Sequence, residues 1–166
     1  MKTSLGAILL NPPNGSGDAT RRHLAAATRI LGHDAFEIAN LFPLATLSSG
    51  EVNELGSDWQ TWVPAQAALR KTVGSSDEIL LAWGIGEFNG ATRQNFRRQK
   101  AWLLEELRCA NVERIWLVDN ETRHPSRWHQ FVSDRHGRTI GGTFEQRIGQ
   151  VLRPMSVLEF SISITQ

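Results

Sequence analysis

The sequence predicts an α/β fold: one domain, three layers, with a central, mostly parallel four-stranded sheet between helices and a C-terminal extra strand. Three observations predict it. Four short apolar runs read as parallel strands, because strands covered on both faces form continuous apolar stretches. Each run stops in a polar or Gly/Pro-bearing segment. The stretches between them carry apolar residues at helical spacing, the alternation that builds a parallel sheet.

Strand 1 is expected over Leu5 to Leu10. The loop Asn11 to Gly17 is dense in turn formers. Asp18 is the candidate N-cap of a helix from Ala19 to Leu31, where Leu24, Ala27 and Leu31 recur at helical spacing and Gly32 ends the run. Strand 2 is Ala35 to Ala39. The connection 41–62, rich in Ser, Gly and Leu, reads as a functional loop. A helix from Pro64 to Gly74 leads into strand 3, Glu78 to Ala82. A long helix, Arg93 to Cys109, presents Phe96, Trp102, Leu103 and Leu107 as its apolar face. Strand 4 is Arg114 to Val118. A polar loop over 121–139 carries Arg, His and Trp, and a helix follows from Phe144 to Leu152. The tail from Leu158 to Ile164 alternates apolar and polar, so it is expected to be a strand with one buried face. It could pair on a sheet edge or with a second copy of the chain.

With 166 residues and 40% hydrophobic content, the chain can bury one sizeable core. No apolar run reaches the ~18 residues of a membrane span. The start, Met1 to Ser4, leads straight into a strand and offers no signal-peptide cleavage site, so a cytoplasmic location is expected. The single cysteine, Cys109, excludes an internal disulfide and a cysteine-based zinc site. No cofactor and no metal are expected. The net charge of +1 hides an asymmetry. Residues 1–90 hold 6 Lys/Arg against 9 Asp/Glu, a balance of −3. Residues 91–166 hold 12 against 8, a balance of +4, and 11 of those 12 cations are arginine. Arginine suits bidentate phosphate contacts, so segments 93–100 and 123–138 are the expected DNA-facing cations.

In open α/β sheets, ligands bind outside the carboxyl ends of the strands. Asn11, Asn40, Trp83 and His124 each follow an apolar run, so they should converge on one cleft. Each also has a purely structural role open to it. Asn11 could begin a turn, Asp18 could only cap its helix, and Asn40 could cap the strand 2 turn. Trp83 could be core, and His124 could be a surface residue in a Pro-directed loop.

The ordered set Leu10-Asn11-Pro12, Asn40, Trp83-Gly84 and His124-Pro125-Ser126 resembles the uracil-DNA glycosylase superfamily, and its mismatch-specific branch in the first motif. Over about residues 5 to 130 the chain also resembles a small bacterial and phage domain family of unknown function. That family carries Leu-Asn-Pro, Asp-x-Thr-x-x-Arg, Trp-Gly and His-Pro. The superfamily resemblance implies a uracil-DNA-glycosylase-like fold and hydrolysis of an N-glycosidic bond on a flipped base. It implies that Asn11 holds the attacking water, that Asn40 reads the base with Pro12, Phe42 and Trp83 around it, and that His124 serves the departing base.

The chemistry suits these residue types. Cleavage leaves negative charge on the departing base, and a donor aimed there lowers the barrier most. A neutral His124 can donate to a base oxygen. Asp18 could take a proton from water as a general base. After the second motif the sequence departs from the superfamily's Pro-Leu-Ser. Arg127 or Trp128 would have to fill the gap left by a flipped base, with Ser126, Arg123, Arg135 and Arg138 on phosphates. The alternative is a solvated Arg-rich loop with Trp128 tucked onto the body. The uracil-specific pattern also places a Tyr in the first loop to exclude 5-substituted pyrimidines. Here that stretch is Pro13-Asn14-Gly15-Ser16-Gly17, which leaves room for hydroxymethylated or glucosylated cytosine.

The expected function is therefore a DNA glycosylase acting on double-stranded DNA with a modified base, in anti-phage defence or in uracil or mismatch repair. The enzyme should be monofunctional, because none of Lys2, Lys71 and Lys100 lies in a motif to supply a Schiff-base amine. A non-catalytic reader of modified DNA and a nucleotide hydrolase are the rival classes.

Overall fold

A computed structural model describes residues 2–132 and 142–163. Its centre is a five-stranded mixed sheet in the order β2-β1-β3-β4-β5. Strands β1 (Ser4–Leu9), β2 (Ala35–Asn40), β3 (Glu78–Leu81) and β4 (Arg114–Val118) run parallel, within a residue of the expected limits. Alternate side chains supply two cores. Ile8, Ile79, Leu81, Ile115 and Leu117 face one side. Leu5, Ala7, Leu9, Leu80 and Val118 face the other.

Helices cover both faces. On the first lie α2 (Ser49–Leu55), α3 (Ala65–Ser75), α4 (Gly90–Cys109) and α7 (Val157–Ser163), contributing Val52, Leu69, Leu103 and Phe160. On the second lie α1 (Asp18–Ile30), α5 (Trp128–Phe131) and α6 (Phe144–Val151), contributing Leu24, Trp128 and Ile148. Among the described residues no helix is long and apolar enough to cross a membrane.

Two expectations are corrected. The fifth strand is β5 (Leu152–Ser156), antiparallel to β4, where a helix was expected to end. It is an edge strand, with Arg153 and Pro154 exposed, and proline and charge blunt an edge. Through Ser163 the tail forms α7 where a strand was expected, and Ile164 lies outside the described residues. Val157, Phe160 and Ser161 are its buried residues, at helical spacing, whereas Leu158 and Ile162 are exposed. A capping box starts this helix. Ser156 Oγ accepts from the Glu159 amide at 3.1 Å, and Glu159 Oε2 accepts from the Ser156 amide at 3.1 Å.

The 41–62 connection holds α2 and a 3-10 turn, Trp59–Thr61. Ser48 caps α2 by accepting from the Glu51 amide. Helix α1 is preceded by Gly17 at φ 66 with no side-chain cap, and Asp18 is the first helical residue. A carboxylate there still complements the helix dipole.

Candidate functional site

The sheet order places the carboxyl ends of β2, β1, β3 and β4 side by side, with the topological switch between β1 and β3. Asn40, Asn11, Trp83-Gly84 and His124 follow these ends in that order. At ~4.8 Å per strand, β1 and β4 are separated by about 10 Å, with β3 between them.

Backbone pairing continues past β1 and fixes the first motif. The amides of Leu41, Phe42 and Ala82 donate to the carbonyls of Leu9, Leu10 and Ile8, at 2.9, 2.7 and 2.8 Å. Asn11 Nδ2 donates to the Pro12 carbonyl at 3.1 Å and to Thr46 Oγ1 at 3.0 Å. Both amide hydrogens are thereby used, and Asn11 Oδ1 is left as an acceptor. Asn40 pairs with Leu9 in the sheet register. Its Oδ1 is buried without a hydrogen-bond partner among the described residues, which costs free energy unless a ligand supplies a donor.

The second motif is positioned by a two-residue reversal after β4. Asp119 and Asn120, at φ 53 and 61, turn the chain so that Val118 and Glu121 exchange backbone hydrogen bonds at 3.2 Å. Two successive positive φ values suit a hairpin of this kind, and Asp and Asn tolerate them. Thr122 then clasps the β3 loop: its carbonyl accepts from the Gly84 amide, and its hydroxyl donates to the Gly84 carbonyl at 2.8 Å. Gly84 has φ 97, which a side chain would strain. A Cβ there would lie 3.8 Å from His124 Cβ, so the β3 and His124 loops touch.

His124 is half-buried. Its Nδ1 accepts from the Ser126 amide at 3.2 Å and lies 2.8 Å from Ser126 Oγ. An N–H can donate only to a lone pair, so the neutral ring carries its proton on Nε2. Burial, and then the charge of Arg127, hold its pKa below the ordinary value, which favours that neutral form. The ring is therefore a fixed donor through Nε2.

Two residues beyond the predicted set hold the loops of the site, His23 the His124 loop and Gln99 the turn after β2. His23 Nδ1 lies 2.6 Å from the Pro125 carbonyl, which can only accept, so Nδ1 donates. Its ring stacks on Phe144, with centroids 4.5 Å apart, and lies nearly parallel to Trp128 at 6.3 Å. His23 takes the final position of the Asp-x-Thr-x-x-Arg pattern begun by Asp18, a departure visible in the sequence. The other residue is Gln99, fully buried on α4. It donates from Nε2 to the carbonyls of Leu41 and Trp62, at 2.9 and 3.2 Å, and accepts from Gln66 at 3.1 Å. It thereby fixes the turn after Asn40. Its i+3 spacing from Phe96 was the available signal.

Several expected roles are corrected. Phe42 is fully buried edge-on to Trp62 and serves the core, with no surface for a base. Trp83 is 6% exposed and packs edge-on against Phe160. Trp128 is fully buried, and its Nε1 donates to the Arg123 carbonyl at 2.8 Å, so it is not a wedge. Arg123 pairs with Glu121 at 2.8 Å. Asp18 and Arg127 are exposed, and Pro12 and Ser126 are half-buried. Arg135 and Arg138 lie outside the described residues.

Residues 1–126 match the model of a family described as protein of unknown function, DUF1643. The chain belongs to the DUF1643 family. The matched segment contains β1 to β4 and all of Asn11, Asp18, Asn40, Trp83 and His124, and it ends at Ser126. No curated protein and no solved structure matches the chain.

Proposed function

We propose that this member of the DUF1643 family is a monofunctional DNA glycosylase of uracil-DNA-glycosylase-like fold. It hydrolyses the N-glycosidic bond of a flipped, non-standard base and leaves an abasic site. The observation that carries the proposal is the state of His124. A neutral imidazole, pinned at Nδ1 and protonated at Nε2, is the donor that charge growing on a departing base requires. Two strands away, Asn11 offers Oδ1 to a water hydrogen, which turns the water's lone pair toward the sugar. Asp18, at the start of α1, supplies the carboxylate that takes the water's proton. The base lies over the end of β3, with Pro12 beside it. Arg127, exposed next to His124, fills the gap left in the duplex, and Ser126 meets a phosphate oxygen.

The lone acceptor on Asn40 suits a base that presents an N–H, either the exocyclic amine of cytosine or the ring N–H of uracil. The first loop favours the bulkier choice. Pro13 to Ser16 are exposed, and a Cβ on Gly15 would meet nothing within 4 Å. A hydroxymethylated or glucosylated cytosine fits this opening, and its removal would suit defence against phage genomes that carry such bases.

Duplexes carrying uracil, hydroxymethylcytosine or glucosylated hydroxymethylcytosine, followed by mass spectrometry of the free base, test the proposal. Base release is expected without a strand nick. Asn11→Ala should slow release at least about tenfold under single turnover, and DNA affinity should fall steeply with salt. Tight binding without release from any of these substrates would leave a reader of modified DNA.

A further inference from the structure

A cleft of about 490 Å³ opens between the loop after β3 and the first half of α4. We infer that it is a nucleotide-phosphate site, with the phosphate on a cationic wall and the sugar and base over an apolar floor. This goes beyond the glycosylase reading, because such binding needs no bond to be cut.

The wall is one face of α4: Arg93, Arg97 and Lys100 all line the cleft, three and four residues apart. Arg93 is held in place, its Nε donating to the Phe88 carbonyl at 2.9 Å. Lys100 Nζ sits 4.5 Å from the centre of the Phe96 ring. Burial, and then Arg97 beside it, push the Lys100 ammonium below its ordinary pKa. Arg97 has no ion pair or hydrogen bond among the described residues. Two carboxylates line the cleft, and Glu121 is already paired with Arg123. Glu87 alone then faces three cations, an imbalance that a bound anion would relieve.

Helix stability does not explain Arg93. Cations near a helix N-terminus oppose the helix dipole, and α4 has no acidic residue in its first turn to offset Arg93. The floor is the exposed Ile85 with the edges of Phe96 and Phe160, apolar surface that suits a sugar and the edge of a base. The volume falls in the ~300–1,000 Å³ range of small-ligand sites. Gly84 and Thr122 belong both to this cleft and to the clasp that holds the His124 loop. The bound nucleotide would therefore lie beside the carboxyl-edge site. It is either free or a unit of a single strand.

Titration calorimetry with deoxycytidine 5′-monophosphate, deoxycytidine, inorganic phosphate and a single-stranded thymidine tetranucleotide tests this. The monophosphate should bind at least about tenfold more tightly than the nucleoside or phosphate alone, since only it meets both wall and floor. The double variant Arg97→Ala/Lys100→Ala should weaken it at least tenfold with an unchanged melting temperature. A tetranucleotide binding more tightly than the monophosphate, or only equally well, supports the site and identifies its source as a strand or as free nucleotide. No binding of any probe would overturn the inference. So would equal affinity for nucleoside and nucleotide, or full affinity in the folded double variant.

Discussion

Replacing His124 with alanine should slow base release about 10²–10³-fold while duplex affinity stays nearly unchanged. The proposed mechanism gives His124 one task, donation from Nε2 to the charge that develops on the departing base. Losing one such donor costs about 3–4 kcal/mol of transition-state stabilisation. The interaction strengthens only as the bond breaks, so the loss belongs in the chemical rate rather than in binding. Single-turnover rates beside equilibrium binding separate the two. Equal losses in both would mean that His124 only positions DNA. The pH dependence supplies a second reading. Burial and Arg127 lower the folded-state pKa, so the neutral donor persists as pH falls through the ordinary imidazole range near 6.5. The rate should therefore stay flat across that range and fall only at lower pH. The same shift sets a stability trend. The unfolded chain takes up the proton first, so this contribution is complete above about 6.5 and declines as pH falls toward the folded-state value.

Replacing Trp128 with alanine should destabilise the protein by about 3–5 kcal/mol, the usual cost of emptying a fully buried aromatic site. Its indole N–H also holds the Arg123 carbonyl, one residue before His124, and its ring backs His23. The truncation therefore removes core volume and loosens the support of the second motif together. Denaturant melts measure the first effect. Base release well below the melting transition measures the second, and both should fall. A variant with native stability but weakened duplex binding would restore Trp128 as a DNA-facing wedge. Arg127→Ala is the contrast. Its side chain is exposed, so stability should barely change while flipping of the target base suffers.

The four parallel strands were legible because burial on both faces leaves a continuous apolar run, and such runs end where the chain meets solvent. That logic also places Asn11, Asn40, Trp83 and His124 on one edge. It fails where burial is one-sided. β5 contains Arg153 and Pro154, residues that an edge strand accepts and that composition argues against. In the tail, the spacing of Leu158, Phe160, Ile162 and Ile164 imitates a strand. The better signal was Ser156 three residues before Glu159, the box that starts α7. Ser48 before Glu51 marks α2 in the same way. Side-chain roles were harder to read than elements. Trp and Phe beside a motif suit either stacking or core, and the sheet buries Phe42, Trp83 and Trp128. The supports of the site, His23, Thr122 and Gln99, act through hydrogen bonds across 33 to 102 positions of sequence, between residues that carry no local pattern.

β5 gives the family boundary a practical meaning. The segment shared with the family stops at Ser126, whereas β4 is sealed along one side only by residues 152–156, with α6 and α7 packed beside them. A recombinant fragment trimmed to the shared segment would leave the β4 backbone unpaired from Arg114 to Val118 beside uncovered apolar surface. That is a template for intermolecular strand addition. Shared ancestry and a closed sheet edge therefore have different limits in this chain, and expression work should follow the second.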